Sequence, residues 1–115
     1  MSFRELLAWQ KAFDLTIETY KLIRKFPKSE VYGLISQIQR SAVSIPSNIS
    51  EGYERNHRKE YLQNLFIAKG SLGELETYFL LSCRLVYLSE EEYDSIEKIR
   101  KETAKILVGL IKSLS

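Results

Sequence analysis

An all-α fold, an antiparallel up-down-up-down four-helix bundle, is what this chain predicts, and three observations predict it. Apolar residues recur at steps of three and four through most of the length. No stretch alternates with the period of two that marks a strand. The three breaks between periodic segments are short, and short connections between long helices leave neighbours antiparallel. At 115 residues, 44% hydrophobic and 28% charged, the chain has material for one core, hence a single domain over 1–115.

The first helix is expected over 3–26. Ser2 and Glu5 have the spacing of a capping box, in which each side chain satisfies an orphan amide of the first turn. Leu6, Gln10, Phe13, Ile17 and Tyr20, with Trp9 beside them, form its stripe. Pro27 ends it, because proline lacks the amide and disfavours a helical residue before it. A second helix over 30–54 carries Leu34, Ile38, Ala42, Ile45, Ile49 and Tyr53, and Gly52 with the polar run "ERNHRK" closes it. The third, over 57–87, has the clearest repeat: Tyr61, Leu65, Ala68, Leu72, Leu75, Phe79, Ser82 and Val86 alternate four and three, the spacing of a helix seam. Ser89 and Glu92 form a second capping box that opens a fourth helix over 90–114, with Ile96, Ile99, Thr103, Ile106 and Leu110 in its stripe.

Pro46 stands inside the second helix, yet Ala42, Ile45 and Ile49 keep one face before and after it. A bend is therefore expected, costing about 3 kcal/mol unless other groups satisfy the carbonyl of Ala42, which loses its donor. Ser41, Ser44, Ser47, Asn48 and Ser50 surround it and can bond backbone groups locally. The alternative is two shorter helices broken at Ser44 or Ile45.

"WQKA" at 9–12, "YGLISQIQRSAVSIPSNISEG" at 32–52, "FIAKGSLGELE" at 66–76 and "LVYL" at 85–88 resemble, in order and spacing, the family of small four-helix bundle proteins encoded in intervening sequences of bacterial 23S ribosomal RNA genes. The resemblance covers nearly the whole chain. It implies the bundle fold, a second helix bent at Pro46, and assembly as a ring-like homo-oligomer, a pentamer. The fold also looks like that of the accessory protein of diversity-generating retroelements, a basic pentamer that works with a reverse transcriptase and nucleic acid. For biochemical activity the resemblance implies nothing settled.

The residues themselves argue against catalysis. His57 is the only histidine, so the Glu54 and His57 spacing lacks the second motif and the further carboxylates of a di-iron site. The serines around Pro46 lack a nucleophile elbow and a choice of base. "GSLG" at 70–73 lies inside a continuous helix and not between strand and helix, which excludes a phosphate loop; close helix approach is the expected reason for both glycines. Glu74 and Glu76 point in different directions and are expected to pair with Arg40 or with a neighbouring subunit. No catalytic residue, metal or cofactor is assigned.

Cys83, the single cysteine, suits a reducing compartment and reads as a buried apolar residue. The start "MSFRELLAWQK" does not read as a secretion signal, and no apolar run approaches the roughly 20 residues of a membrane span. A cytoplasmic protein without membrane contact is expected.

What remains is electropositive. The formal net charge is only +2, but residues 1–60 hold ten Lys and Arg against seven Asp and Glu. Arg55, His57, Arg58 and Lys59 gather between the second and third helices, and Arg24, Lys25 and Lys28 between the first and second. An up-down bundle puts these clusters at opposite ends. Each alone is weak, but a homo-oligomer repeats them, and phosphate contacts accumulate. Tyr53 and Tyr61 flank the first cluster and offer rings for base stacking or for packing. Surplus apolar residues, Trp9, Leu15 and Leu22 on the first helix and Leu107, Val108 and Ile111 on the fourth, are expected to face another subunit. Two functions follow: a non-enzymatic oligomeric protein associated with RNA or DNA, or an adaptor that recruits a protein partner, such as a nucleic-acid enzyme, without touching nucleic acid.

Overall fold

The computed structural model describes all 115 residues and resolves the chain into four long helices: α1 (Leu7–Ile23), α2 (Leu34–Glu54), α3 (Arg58–Arg84) and α4 (Glu90–Leu114). They form a bundle 42 × 25 × 20 Å. α1 and α3 each pack on α2 and α4, and the backbones do not approach closely across either diagonal. No helix is long and apolar enough to cross a membrane.

Both capping boxes are present, but they open different things. Ser89 and Glu92 cap α4, as expected. Ser2 and Glu5 cap a single 3-10 turn over Phe3–Glu5, and Leu6 then turns extended, so α1 begins only at Leu7. After Pro27 another 3-10 turn, Lys28–Glu30, delays α2 to Leu34, whose amide donates to the Glu30 carboxylate at 3.1 Å.

α2 passes through Pro46 unbroken, which settles the choice against two shorter helices. The freed carbonyl of Ala42 is answered from another helix. Thr16 of α1, whose hydroxyl also lies 2.8 Å from the Ala12 carbonyl, approaches the Ala42 oxygen at 3.1 Å. The polar residues near Pro46 divide: Asn48 donates to the Ser44 carbonyl at 2.8 Å and Ser50 to the Ser47 carbonyl at 3.0 Å, local bonds as expected, while Ser41 donates to Glu74 at 3.1 Å and Ser71 pairs with Ser44 at 2.9 Å, both across to α3. Asn48 and Glu51 likewise accept from Asn64 at 3.0 and 2.7 Å. The seam between α2 and α3 is thus partly polar and satisfied from both sides, which is how buried polar groups avoid their desolvation cost. Thr16→Val, which keeps the shape and removes the hydroxyl, is expected to cost about 1–2 kcal/mol in urea unfolding, with Thr16→Ser near wild type.

The core stripes of α2 and α3 follow the predicted spacing in their middle, with Ile38, Ala42, Ile45 and Ile49 facing Leu65, Ala68, Leu72, Leu75 and Phe79; Leu34, Tyr53 and Tyr61 are half-buried at the ends, and Val86 is not in the stripe, being exposed beyond the end of α3. α1 differs. Its buried residues are Ala8, Ala12, Leu15, Thr19 and Ile23, while Phe13, Ile17 and Tyr20 are exposed. Alanines let α1 approach closely, so the buried stripe is less hydrophobic than the outward one. Leu15 is therefore core and not interface. In α4 the buried stripe is Ile96, Arg100, Thr103, Leu107 and Ile111, so Leu107 and Ile111 also belong to the monomer core. Trp9, Leu22 and Val108 are half-buried at its edge.

α3 ends three residues early, at Arg84. The amide of Val86 donates to the Cys83 carbonyl at 3.0 Å and that of Tyr87 to Ser82 at 2.8 Å, the double bond of a Schellman turn. That geometry needs a left-handed residue, and here it is Val86, with φ 63° and 84% exposure. A β-branched residue is strained there, and glycine is not. Val86→Gly is expected to raise stability by about 1–2 kcal/mol, read as a higher urea midpoint.

Candidate nucleic-acid interface

The α2 to α3 connection is a three-residue turn. Arg55 caps α2, Asn56 adopts the left-handed conformation at φ 57°, and His57 returns extended to start α3 at Arg58. Asparagine tolerates that conformation better than most residues. The reversal leaves Arg55, Asn56, His57, Arg58 and Lys59 all exposed at one pole of the bundle.

Their charges are not equally free. Arg55 lies 3.6 Å from Glu60 and 3.9 Å from Glu51, and Arg58 donates from Nε to the Leu114 carbonyl near the chain end. Neither His57 nor Lys59 has a carboxylate within ion-pair distance. A recess of about 600 Å³ lies alongside, lined by Tyr53, Glu54, His57, Arg58, Tyr61 and Leu114 among others. Tyr53 and Tyr61 meet edge to face at 6.0 Å, and Tyr53 donates to the Met1 carbonyl. The rings therefore pack on each other. The Tyr61 hydroxyl is buried without a partner; burial, then the neighbouring Tyr53, pushes its pKa up.

The second cluster sits at the opposite pole. Arg24, Lys25 and Lys28 are exposed where the α3 to α4 connection packs against the α1 to α2 one, through Phe26 on Tyr87 at 5.4 Å. Tyr87 donates to Glu30 at 2.8 Å. The Leu34 amide first, then that hydroxyl, hold the Glu30 carboxyl below its usual range, and the same bond raises the Tyr87 pKa. Lys25 is paired with Glu92, and Glu90 and Glu91 stand exposed at the start of α4. The folded chain thus sets acidic side chains beside this cluster, as it does beside Arg55.

Other charged residues lie apart from both poles. Glu76 pairs with Arg100 at 3.1 Å, not with Arg40, and Glu74 takes the Ser41 hydroxyl. Arg100 is 6% exposed and forks onto Glu97 at 2.5 and 3.0 Å. Burial works against its charge, but the Glu97 hydrogen bonds and charge, helped by Glu76, outweigh that and raise its pKa. The apolar steps of α4 through Ile96, Ile99, Thr103, Ile106 and Leu110 pass over this pair. Arg100 falls on the Ile96, Thr103 and Leu107 line, the one signal that it is buried. A Cβ added at Gly70 or Gly73 would meet nothing within 4 Å, so close approach inside the bundle does not explain these glycines. No three His, Cys, Asp or Glu side chains converge as a metal site.

Comparison with known proteins adds a family and a fold. The family model described as 23S rRNA-intervening sequence protein matches residues 4–109. A crystal structure of a protein of unknown function from the S23 ribosomal protein family of Bacteroides thetaiotaomicron is similar, with a TM-score of 0.82 and 28% identity, covering 92% of this chain and 99% of that one. No protein of curated function matches.

Proposed function

As the chain belongs to the family of 23S rRNA-intervening sequence proteins, we propose that it is a non-enzymatic, cytoplasmic, ring-like homo-oligomer, a pentamer, that associates with RNA through the poles of its bundle. The observation that carries this reading is the exposed run from Arg55 to Lys59, held at one pole by the Asn56 turn. Arg58 and Lys59 are the leading phosphate contacts, with Arg55 shared between RNA and its two carboxylates. Arg24 and Lys28 are second. A ring multiplies each contact, and with it the affinity and its salt dependence. The name of the similar crystal structure's family, S23 ribosomal protein, is in keeping with an RNA partner. Against an enzyme stand the serines near Pro46, engaged across the helix seam, and a lone histidine at an exposed turn.

A second reading, an adaptor for a protein partner such as a nucleic-acid enzyme, draws on the ion pairs: Arg55 and Lys25 are both matched by carboxylates. The two separate in one experiment. Affinity for a structured bacterial RNA is measured at several salt concentrations, for wild type and for Arg55→Ala, Arg58→Ala, Lys59→Ala combined. RNA association predicts a steep salt slope, flatter in the variant by about one for each phosphate that the protein no longer neutralises. No binding at low salt by the assembled protein leaves the adaptor.

A further inference from the structure

α3 is apolar on two sides. One stripe fills the core, and the outer face, turned away from it, carries Phe66, Ile67, Gly70, Gly73, Leu80 and Leu81. The four large side chains there are between 41% and 54% exposed. Charge stays at the margins, and Glu74 and Glu76 are turned to Ser41 and Arg100. A helix face open to water is ordinarily polar. Each glycine weakens a helix relative to alanine, and no contact within the bundle requires either one; together they leave a bare strip of backbone between bulky neighbours. The face ends at exposed Leu85 and the strained Val86.

The same molecule carries a face of opposite shape. On α1, Trp9 stacks on Phe13 at 5.0 Å, and Ile17 and Tyr20 continue the ridge, with Val43 of α2 beside Tyr20. Phe13, Ile17, Tyr20 and Val43 are 38% to 45% exposed. α1 and α3 occupy opposite corners of the bundle, so ridge and trough cannot meet within one chain. Asp14 beside the ridge and Lys69 beside the trough are exposed, unpaired and opposite in charge, while Arg40, also exposed and unpaired, stands at the other margin of the ridge beside Tyr20 and Val43. Each face thus presents four large apolar side chains about half open to water and next to one another, and contiguous apolar surface of this kind on a monomer marks an interaction site.

We infer that the outer face of α3 seats the α1 ridge of a second copy of this chain. This contact specifies how the oligomer proposed above is built, and rests on that reading. Glycines at the crossing let two helices approach at the short end of the usual 8–10 Å. Because ridge and trough differ, the contact is head-to-tail. A pair leaves one ridge and one trough bare, so assembly continues past a dimer, ending in a ring where the rotation between copies closes.

The test uses two full-length variants, Phe13→Glu on the ridge and Gly70→Arg in the trough. Mass is measured by light scattering after size exclusion, and folding by circular dichroism and thermal melting. Wild type is expected to exceed a dimer, and each variant to run as a folded monomer. Their equimolar mixture is expected to form a heterodimer, since one intact ridge then meets one intact trough. Leu81→Glu replaces Gly70→Arg if the latter does not fold. A mixture that stays monomeric, or a variant that keeps the wild-type mass, overturns the contact and leaves the oligomeric reading standing. A monomeric wild type overturns both.

Discussion

Replacing Arg100 with methionine is expected to cost about 3–5 kcal/mol, as much as truncating a large core side chain. Arg100 is 6% exposed and Glu97, whose carboxylate it grips, is 5% exposed. No other cation lies within ion-pair distance of Glu97, so the variant strands a charge inside the bundle. The full desolvation penalty then falls on one side chain. Arg100→Met with Glu97→Leu removes both charges and is expected to recover most or all of the loss, because an apolar pair of similar volume is often as stable as a buried ion pair. Urea titrations of wild type and both variants at pH 7 read both expectations; a single variant within about 1 kcal/mol of wild type would show that water reaches Glu97.

Gly52→Ala is the second large effect, and its sign opposes helix propensity. In an exposed helix interior the change stabilises by up to about 1 kcal/mol. At Gly52 an added Cβ would sit 2.8 Å from the Asn64 Cβ and 3.3 Å from the Tyr61 Cα. The second of these is backbone, so relief requires the first turns of α3 to move off α2. Overpacking of this kind costs about 1–3 kcal/mol, and the displaced Asn64 would loosen its bonds to Asn48 and Glu51. The net expectation is a loss of about 2 kcal/mol, with Gly52→Val at or beyond the top of that range. The urea midpoints of wild type and the two variants should fall in that order. An alanine variant more stable than wild type would mean that α3 tilts freely at its start.

Much of the bundle was legible in the sequence because α2 and α3 repeat at three and four over many turns. The family resemblance rests on the same stretch and on "GSLGELE". α1 was misread for a physical reason: close packing asks for small residues, so Ala8 and Ala12 mark its buried side weakly, while Phe13, Ile17 and Tyr20 mark the wrong one strongly. In α4 a buried arginine broke the apolar phase. The end of α3 was hidden because valine carries no signal for a left-handed residue, whereas asparagine at position 56 does. The basic clusters were legible as neighbours in sequence. The carboxylates that meet Arg55 and Lys25 were not all legible, because Glu92 arrives from a distant part of the chain. Surplus apolar surface was anticipated, but with Leu15, Leu107 and Ile111 in the wrong place, since composition counts residues and only packing decides which side they take.

The hydroxyl of Thr16 at the Ala42 carbonyl has a consequence for the order of folding. α2 cannot complete its own ladder at Pro46, so before α1 docks its middle turns leave that oxygen to water and remain a weak point. Docking of α1 brings a hydroxyl to that oxygen, which couples residue 16 to residue 42, so α1 and the middle of α2 are expected to lose amide-exchange protection together.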